Sequence, residues 1–253
     1  MKIITKNEIN SLDGWMFFAP PKGGKKQWKP EHSAQEFAKI VLDKDKFESE
    51  ACDLVKEELG KIQLHKVYPE KQTKFDKFKG GKRHHDLACL AKKENSNEKI
   101  ALCYEAKATE TLDKEVQVHI ANALQKNPNS NMKNRVNSLT KRFWGKNYDE
   151  NLYGDLRYQL FSGLAGTICF AEKNSCSACV FVIYQIETDK TKEEDMNSTR
   201  NDVVKFIQKF NGHTELTESS FKDDHLYDLG ALEGLHSKIQ TYIAYIRRAK
   251  KTK

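Results

Sequence analysis

The chain has 253 residues, 38% of them hydrophobic and 31% charged, which is enough to bury one sizeable core. Lys and Arg (43) exceed Asp and Glu (36), for a net charge of +7, so a polyanionic partner is admitted without being demanded. No apolar run can span a bilayer and the opening MKIITKNEIN has no apolar centre of the signal-peptide kind, so a membrane partner is excluded and the expected location is the cytoplasm. Six cysteines, mostly in apolar surroundings, suit reduced thiols better than a disulfide framework, and Cys176 and Cys179 alone are too few for a zinc site.

In chain order, Ser33-Ala-Gln-Glu36 followed by Phe37, Ile40 and Val41 is a capping-box pattern and predicts a helix over 33–42. Phe47, Ala51, Leu54, Val55 and Leu59 share one helical face, which predicts a second helix over 46–59 with Gly60 as its stop. Residues 62–68 read as a first strand. Two further helices are marked by Val116, Ile120, Ala123 and Leu124 and by Met132, Val136, Leu139 and Phe143. Residues 153–171 read as an apolar, central helix carrying Arg157-Tyr158-Gln159 near its start. The run ACVFVIYQI (178–186) suits a strand buried on both faces. An amphipathic helix follows over 197–210, and 211–230 reads as loop. Residues 235–249 carry apolar side chains at helical spacing, although TYIAYI also suits an edge strand. With no repeat and no low-complexity linker, one domain is expected, with 1–30 as an N-terminal extension and 247–253 as a basic tail.

Between the first strand and these helices lies the most informative stretch. HDLACLA (85–91) and IALCYEAKA (100–108) are apolar with small residues, and the eight residues between them are all polar, the pattern of a β-hairpin with a solvated turn. If the turn is centred between Asn95 and Ser96, partners have numbers summing to 191 and Asp86 falls opposite Glu105. Opposed carboxylates repel, and a hard divalent cation such as Mg²⁺, or Mn²⁺, compensates them. Strand alternation places Lys107 on the same face as Glu105. The Ala106 side chain points the other way, while its carbonyl can still reach a metal. Such an ion can polarise a phosphodiester and activate a water.

A lone Asp on one strand and Glu-x-Lys on the next resembles the PD-(D/E)xK nuclease superfamily, the restriction-endonuclease-like enzymes. Here His85 stands where a proline often precedes the Asp. The resemblance implies an α/β fold with an α/β/α core around a mixed sheet. It also implies a metal-dependent endonuclease that hydrolyses DNA, in restriction or phage defence, with Asp86, Glu105 and Lys107 catalytic and Asp86, Glu105 and Ala106 at the metal. Enzymes of this type often take a further acidic ligand from a helix ahead of the first strand, and Glu36 is the chosen candidate among Glu36, Glu50, Glu57 and Glu58. A polar residue on a later helix can position substrate or water, a role open to Gln159, and Arg157 can bind phosphate from the same place. A homodimer is compatible with the resemblance. A fainter one, to an uncharacterised bacterial family, is carried by Gly23-Gly24, Gln27-Trp28, Ser33-Ala34 and Arg157-Tyr158-Gln159-Leu160.

Lys71, Lys74, Lys77, Lys79, Lys82 and Arg83 precede Asp86 as a basic loop suited to tracking a phosphate backbone. By alternation His84 faces the catalytic side and His85 points away. Lys79, Lys82, Arg83, His84, Arg157 and Gln159 are therefore the expected nucleic-acid contacts. In a second basic segment, 22–29, Trp28 either stacks on a base or packs under the first helix, and packing is preferred. Two other functions share these features: an RNase toxin on the same fold, and a nucleic-acid-binding module without turnover.

Overall fold

The computed structural model describes residues 1–5 and 7–249. A short strand, β1 (Lys2–Ile3), and three helices, α1 (Leu12–Phe18), α2 (Ser33–Leu42) and α3 (Lys44–Leu59), lead into an antiparallel meander, β2 (Ile62–Thr73), β3 (Arg83–Lys93) and β4 (Lys99–Lys107). Helices α4 (Val116–Lys126), α5 (Met132–Trp144), α6 (Glu150–Tyr153) and α7 (Tyr158–Lys173) carry the chain across to β5 (Ala178–Glu187), which pairs parallel to β4. Helix α8 (Glu193–Ile207) leads to β6 (Tyr227–Glu233) and β7 (Lys238–Ala249). The seven strands form one mixed sheet in the order β1-β2-β3-β4-β5-β7-β6. No helix among the described residues is long and apolar enough to cross a membrane.

Alternation along the strands builds two cores, one on each sheet face. Leu87, Cys89, Leu102, Tyr104, Val182 and Tyr184 pack against α1, α2 and α3, whose contributions include Trp15, Phe37 and Phe47. On the other face Ala88, Ala101, Cys103, Cys179 and Phe181 meet α7, with Phe143 and Phe206 behind it. The small side chains of β3 and β4 on that face let α7 lie close. Gly163 on α7 is in such tight contact that a Cβ there would fall 2.2 Å from Cζ of Phe181.

The hairpin has the register read from its polarity. Every pair from Leu87–Tyr104 to Lys92–Lys99 sums to 191, and Asn95 turns the chain with φ of +58°. Helix α2 begins and ends as expected, but its entry is built differently. His32 is the cap residue, the Ser33 hydroxyl donates to Glu110, and the Glu36 carboxylate accepts from the Glu31 N–H at 2.8 Å.

Four expectations are corrected. The segment 153–171 is not one helix: 154–157 is a turn between α6 and α7, and its carbonyls at Gly154 and Leu156 accept from Gln117 and Val116 at the start of α4. Residues 238–249 form a strand, as TYIAYI allowed, rather than a helix, but β7 is interior and β6, which begins inside the stretch read as loop, takes the edge. The N-terminal segment is not peripheral, since β1 pairs with Lys66 and Val67 and Ile3, Ile9 and Trp15 are buried. Arg247 and Arg248 belong to β7 instead of a tail, and Arg248 pairs with Glu50 and Asp224. Lys250, Lys251 and Lys253 lie outside the described residues.

Strand β2 runs past the expected end at Tyr68. Pro69 removes a donor there, which is tolerated because β1 pairs with β2 only at Lys66 and Val67. Glu70 follows with φ of +48°, a left-handed conformation uncommon for Glu. It lies between the pairs Pro69–Leu87 and Lys71–His85, opposite Asp86.

Candidate functional site

A cavity of about 880 Å³ opens where β3 begins and β4 ends. Asp86, Glu105, Ala106 and Lys107 line it, as do Glu70, Arg83, Glu110 and Asp113. The hairpin register accounts for the first four. Asp86 Oδ2 accepts the Ala106 N–H at 2.7 Å, tying the two strands together just beyond their last ladder pair. Lys107 Nζ sits 2.9 Å from Glu105 Oε1.

The pair repulsion anticipated between Asp86 and Glu105 is met by a side chain. The Arg83 guanidinium pairs with Glu105 Oε2, and Gln159 donates to Glu105 Oε1 while accepting the Asp113 N–H at 3.0 Å. Arg83 was expected to contact phosphate. It is instead folded inward because the strand alternation breaks at the Glu70–Asp86 position. Arg83 Cγ and His85 Nε2 both crowd Gly166 of α7, where a Cβ would fall 2.8 and 2.7 Å from them. His85 therefore faces α7 rather than the opposite layer, is fully buried, and has its basicity pushed well down by burial and by Arg83.

Burial and mutual repulsion dominate the electrostatics. Burial raises the Asp86 carboxyl above its usual range, against the pull of Lys107, the Ala106 N–H and Arg83. Burial, then the charge of Asp86, pushes Glu70 up to about 9, with Arg83 opposing. Lys107 is lowered by burial, against Asp86 and Glu110. Further out, His119 hydrogen-bonds Asp113 at 2.7 Å and holds its carboxyl down at about 2.

The remaining expected residues divide. Lys82 and His84 line the cavity, and burial with Lys22, Arg83 and Lys82 lowers the His84 basicity. Lys79 is exposed on the loop outside the lining. Within that loop Phe75 is a core residue and Asp76 pairs with Arg135 at 2.5 Å. Arg157 caps α7 but its guanidinium is committed to Asp202 at 2.8 Å, so the phosphate role is corrected. Glu36 does not reach the cavity. Its carboxylate is engaged by Lys39 at 2.7 Å and by the Glu31 N–H. Trp28 packs against the core beneath α1–α3.

Sequence reasoning missed Glu70, Glu110, Asp113 and His119. Pro69 reads as the end of a strand, which hid Glu70. The other three lie on the link after Lys107 and on α4, where only the tertiary crossover brings them back to the hairpin.

The donor chemistry fits a hard divalent cation. Glu70, Asp86, Glu105 and Ala106 all line the cavity, and their carboxylates and backbone carbonyl offer oxygen only. Among the described residues no group of three or more His, Cys, Asp and Glu side chains is placed to hold a metal ion by itself. Mg²⁺ does not need one, since it keeps several waters and is held through one or two carboxylates.

Residues 8–249 match the family described as a domain of unknown function (DUF6946), and the chain belongs to that family. No curated protein and no solved structure matches it.

Proposed function

We propose that the chain is a metal-dependent nuclease of the restriction-endonuclease-like type, hydrolysing phosphodiester bonds in nucleic acid, with DNA the first substrate to test. The observation that carries this reading is the hairpin register, which brings Asp86, Glu105 and Lys107 to one cavity. Helices ahead of a mixed sheet, a hairpin bearing the charges, then a helix and a further buried strand, the order of α2–α3, β3–β4, α7 and β5, is the α/β/α arrangement the resemblance implies around that motif.

Asp86 and Glu105 would hold Mg²⁺ or Mn²⁺, with the Ala106 carbonyl and Glu70 within the same cavity wall. When bound, the ion supplies Lewis acidity at the phosphoryl oxygen and a more acidic water. The protein's own contribution is electrostatic. Lys107, held by Glu105, would place an ammonium beside the phosphoryl oxygens on which negative charge develops. Gln159 fixes the Glu105 rotamer from α7, and Arg83 balances Glu105 until an incoming cation takes over that role. Lys22, Lys82 and His84 at the cavity mouth meet the backbone phosphates.

Incubation of the protein with Mg²⁺ and plasmid DNA, duplex DNA, single-stranded DNA and RNA should give cleavage of at least one substrate. EDTA, Asp86→Asn and Lys107→Ala should each abolish it while near-native melting is retained. Cutting that survives both substitutions discards the assignment. The full pairing of Glu105 by Arg83, Lys107 and Gln159 favours a second reading, a nucleic-acid-binding module without turnover. Its signature is salt-dependent, EDTA-insensitive binding with no cleavage of any of the four substrates.

A further inference from the structure

Helix α1 ends in an aromatic pair that the fold leaves in solvent. Phe17 is 79% exposed, the most exposed large hydrophobic side chain among the described residues, and Phe18 is 38% exposed. Their rings meet edge to face with centroids 4.9 Å apart. Trp15 on the same helix is 2% exposed and anchors it to the core, so the pair projects from a fixed support. Isolated exposed apolar side chains are ordinary, but two adjoining aromatic rings at a helix end are a contact surface.

What covers such a surface is indicated by its neighbours. From Leu12 to Pro30 the sequence carries Lys22, Lys25, Lys26 and Lys29 against one acidic residue, Asp13. All four lysines are exposed, and none is ion-paired among the described residues. The segment also leads into the site. Pro21, Lys22 and Gln27 line the cavity that holds Asp86 and Glu105, and Lys22 acts electrostatically on His84. Lys22 is four positions beyond Phe18, so the chain between them spans at most about 14 Å, roughly the length of two nucleotides.

An aromatic step beside an unpaired lysine run, continuous with a phosphodiester-sized cavity, matches the chemistry of unpaired nucleic acid. Lysines follow the phosphates and the π-faces of successive bases stack on the rings, an option closed to bases inside a duplex. We infer that Phe17 and Phe18 are a stacking platform for a single-stranded segment whose backbone runs over Lys22–Lys29 into the cavity. The inference rests on the nuclease reading for the identity of the site, and it names unpaired strands, free or at the end of a duplex, as the substrate class. DNA and RNA share that chemistry.

Fluorescence anisotropy in EDTA tests it, with a labelled single-stranded DNA, the matching RNA, and the blunt duplex. The double variant F17A/F18A should bind one or both single strands about tenfold or more weakly than wild type, and the duplex equally well. Phe17→Trp should retain affinity, and its added indole should be quenched when the favoured strand is titrated in. Equal single-strand binding by F17A/F18A, equal losses on strand and duplex, or no quenching in Phe17→Trp each overturns the inference. So does loss of vesicle binding or of self-association in F17A/F18A with oligonucleotide binding unchanged. Because turnover is absent in EDTA, failure here leaves the cleavage test of Asp86 and Lys107 standing, and failure of cleavage leaves stacking measurable.

Discussion

Replacing Glu70 by Gln should make the protein less sensitive to rising pH. Burial and the neighbouring Asp86 push this carboxyl from 4.5 up to about 9. Between those values the folded protein holds a proton that the unfolded chain has released. Stability then falls as pH rises, by ~1.4 kcal/mol per pH unit for one proton, from the unfolded value until the folded one is passed. From about pH 6 to about pH 8 the loss amounts to roughly 2–3 kcal/mol as an upper value, since side-chain relaxation and water entry reduce it. At about 2–4 °C per kcal/mol in a chain of this size, wild type should lose roughly 5–10 °C of Tm across that interval relative to Glu70→Gln. Thermal melts of both proteins at the two pH values provide the comparison, and taking the difference removes the opposing effect of His84 and His85, which are shared. Added Mg²⁺ should flatten the wild-type dependence by substituting for the proton, and leave the variant less affected. Parallel pH dependences for the two proteins would refute the placement of Glu70 beside Asp86.

Glu105→Gln should destabilise the fold by about 3 kcal/mol in urea titration, because Arg83 and Lys107 are left with side chains only 10% and 8% exposed and one fewer counter-charge. An unchanged midpoint would mean that Arg83 reaches solvent. Gly163→Ala should lower Tm despite the ~1 kcal/mol that Ala gains in a helix, since its Cβ would lie 2.2 Å from Phe181 Cζ and overpacking costs about 1–3 kcal/mol or more. Arg157→Ala should cost about 2 kcal/mol by leaving Asp202, 8% exposed, without its partner. Oligonucleotide affinity should not change, whereas a phosphate contact at Arg157 would weaken binding at every sequence.

The local signals in the chain carried far where one periodicity dominated. The hairpin register followed from the polarity of 92–99 between two apolar runs, and with it the meeting of Asp86, Glu105 and Lys107. The limits of α2 and the buried character of β5 were legible for the same reason. Residues 235–249 show the opposite case: Leu235, Ile239, Tyr242, Ile243 and Ile246 satisfy a helical spacing, yet β5 and β6 flank 238–249 and burial on both faces makes that part a strand. Alternation failed at His85 and Arg83 because Glu70 opposite Asp86 takes a left-handed turn of the backbone, which no propensity of Glu foretells.

The sequence by itself determined which side chains share the hairpin, because hydrogen-bond pairing across a short turn is a local matter of two strands. Only the tertiary structure decided what surrounds them. The α4–α7 crossover returns Asp113, His119 and Gln159 to the end of β4, and α2 brings Ser33 to Glu110. Arg83 turns inward because the space beside Gly166 and the buried charge of Glu105 are both there to receive it. Burial and charge pairing depend on contacts far apart in the chain, and those exist only once the two cores have closed on the sheet.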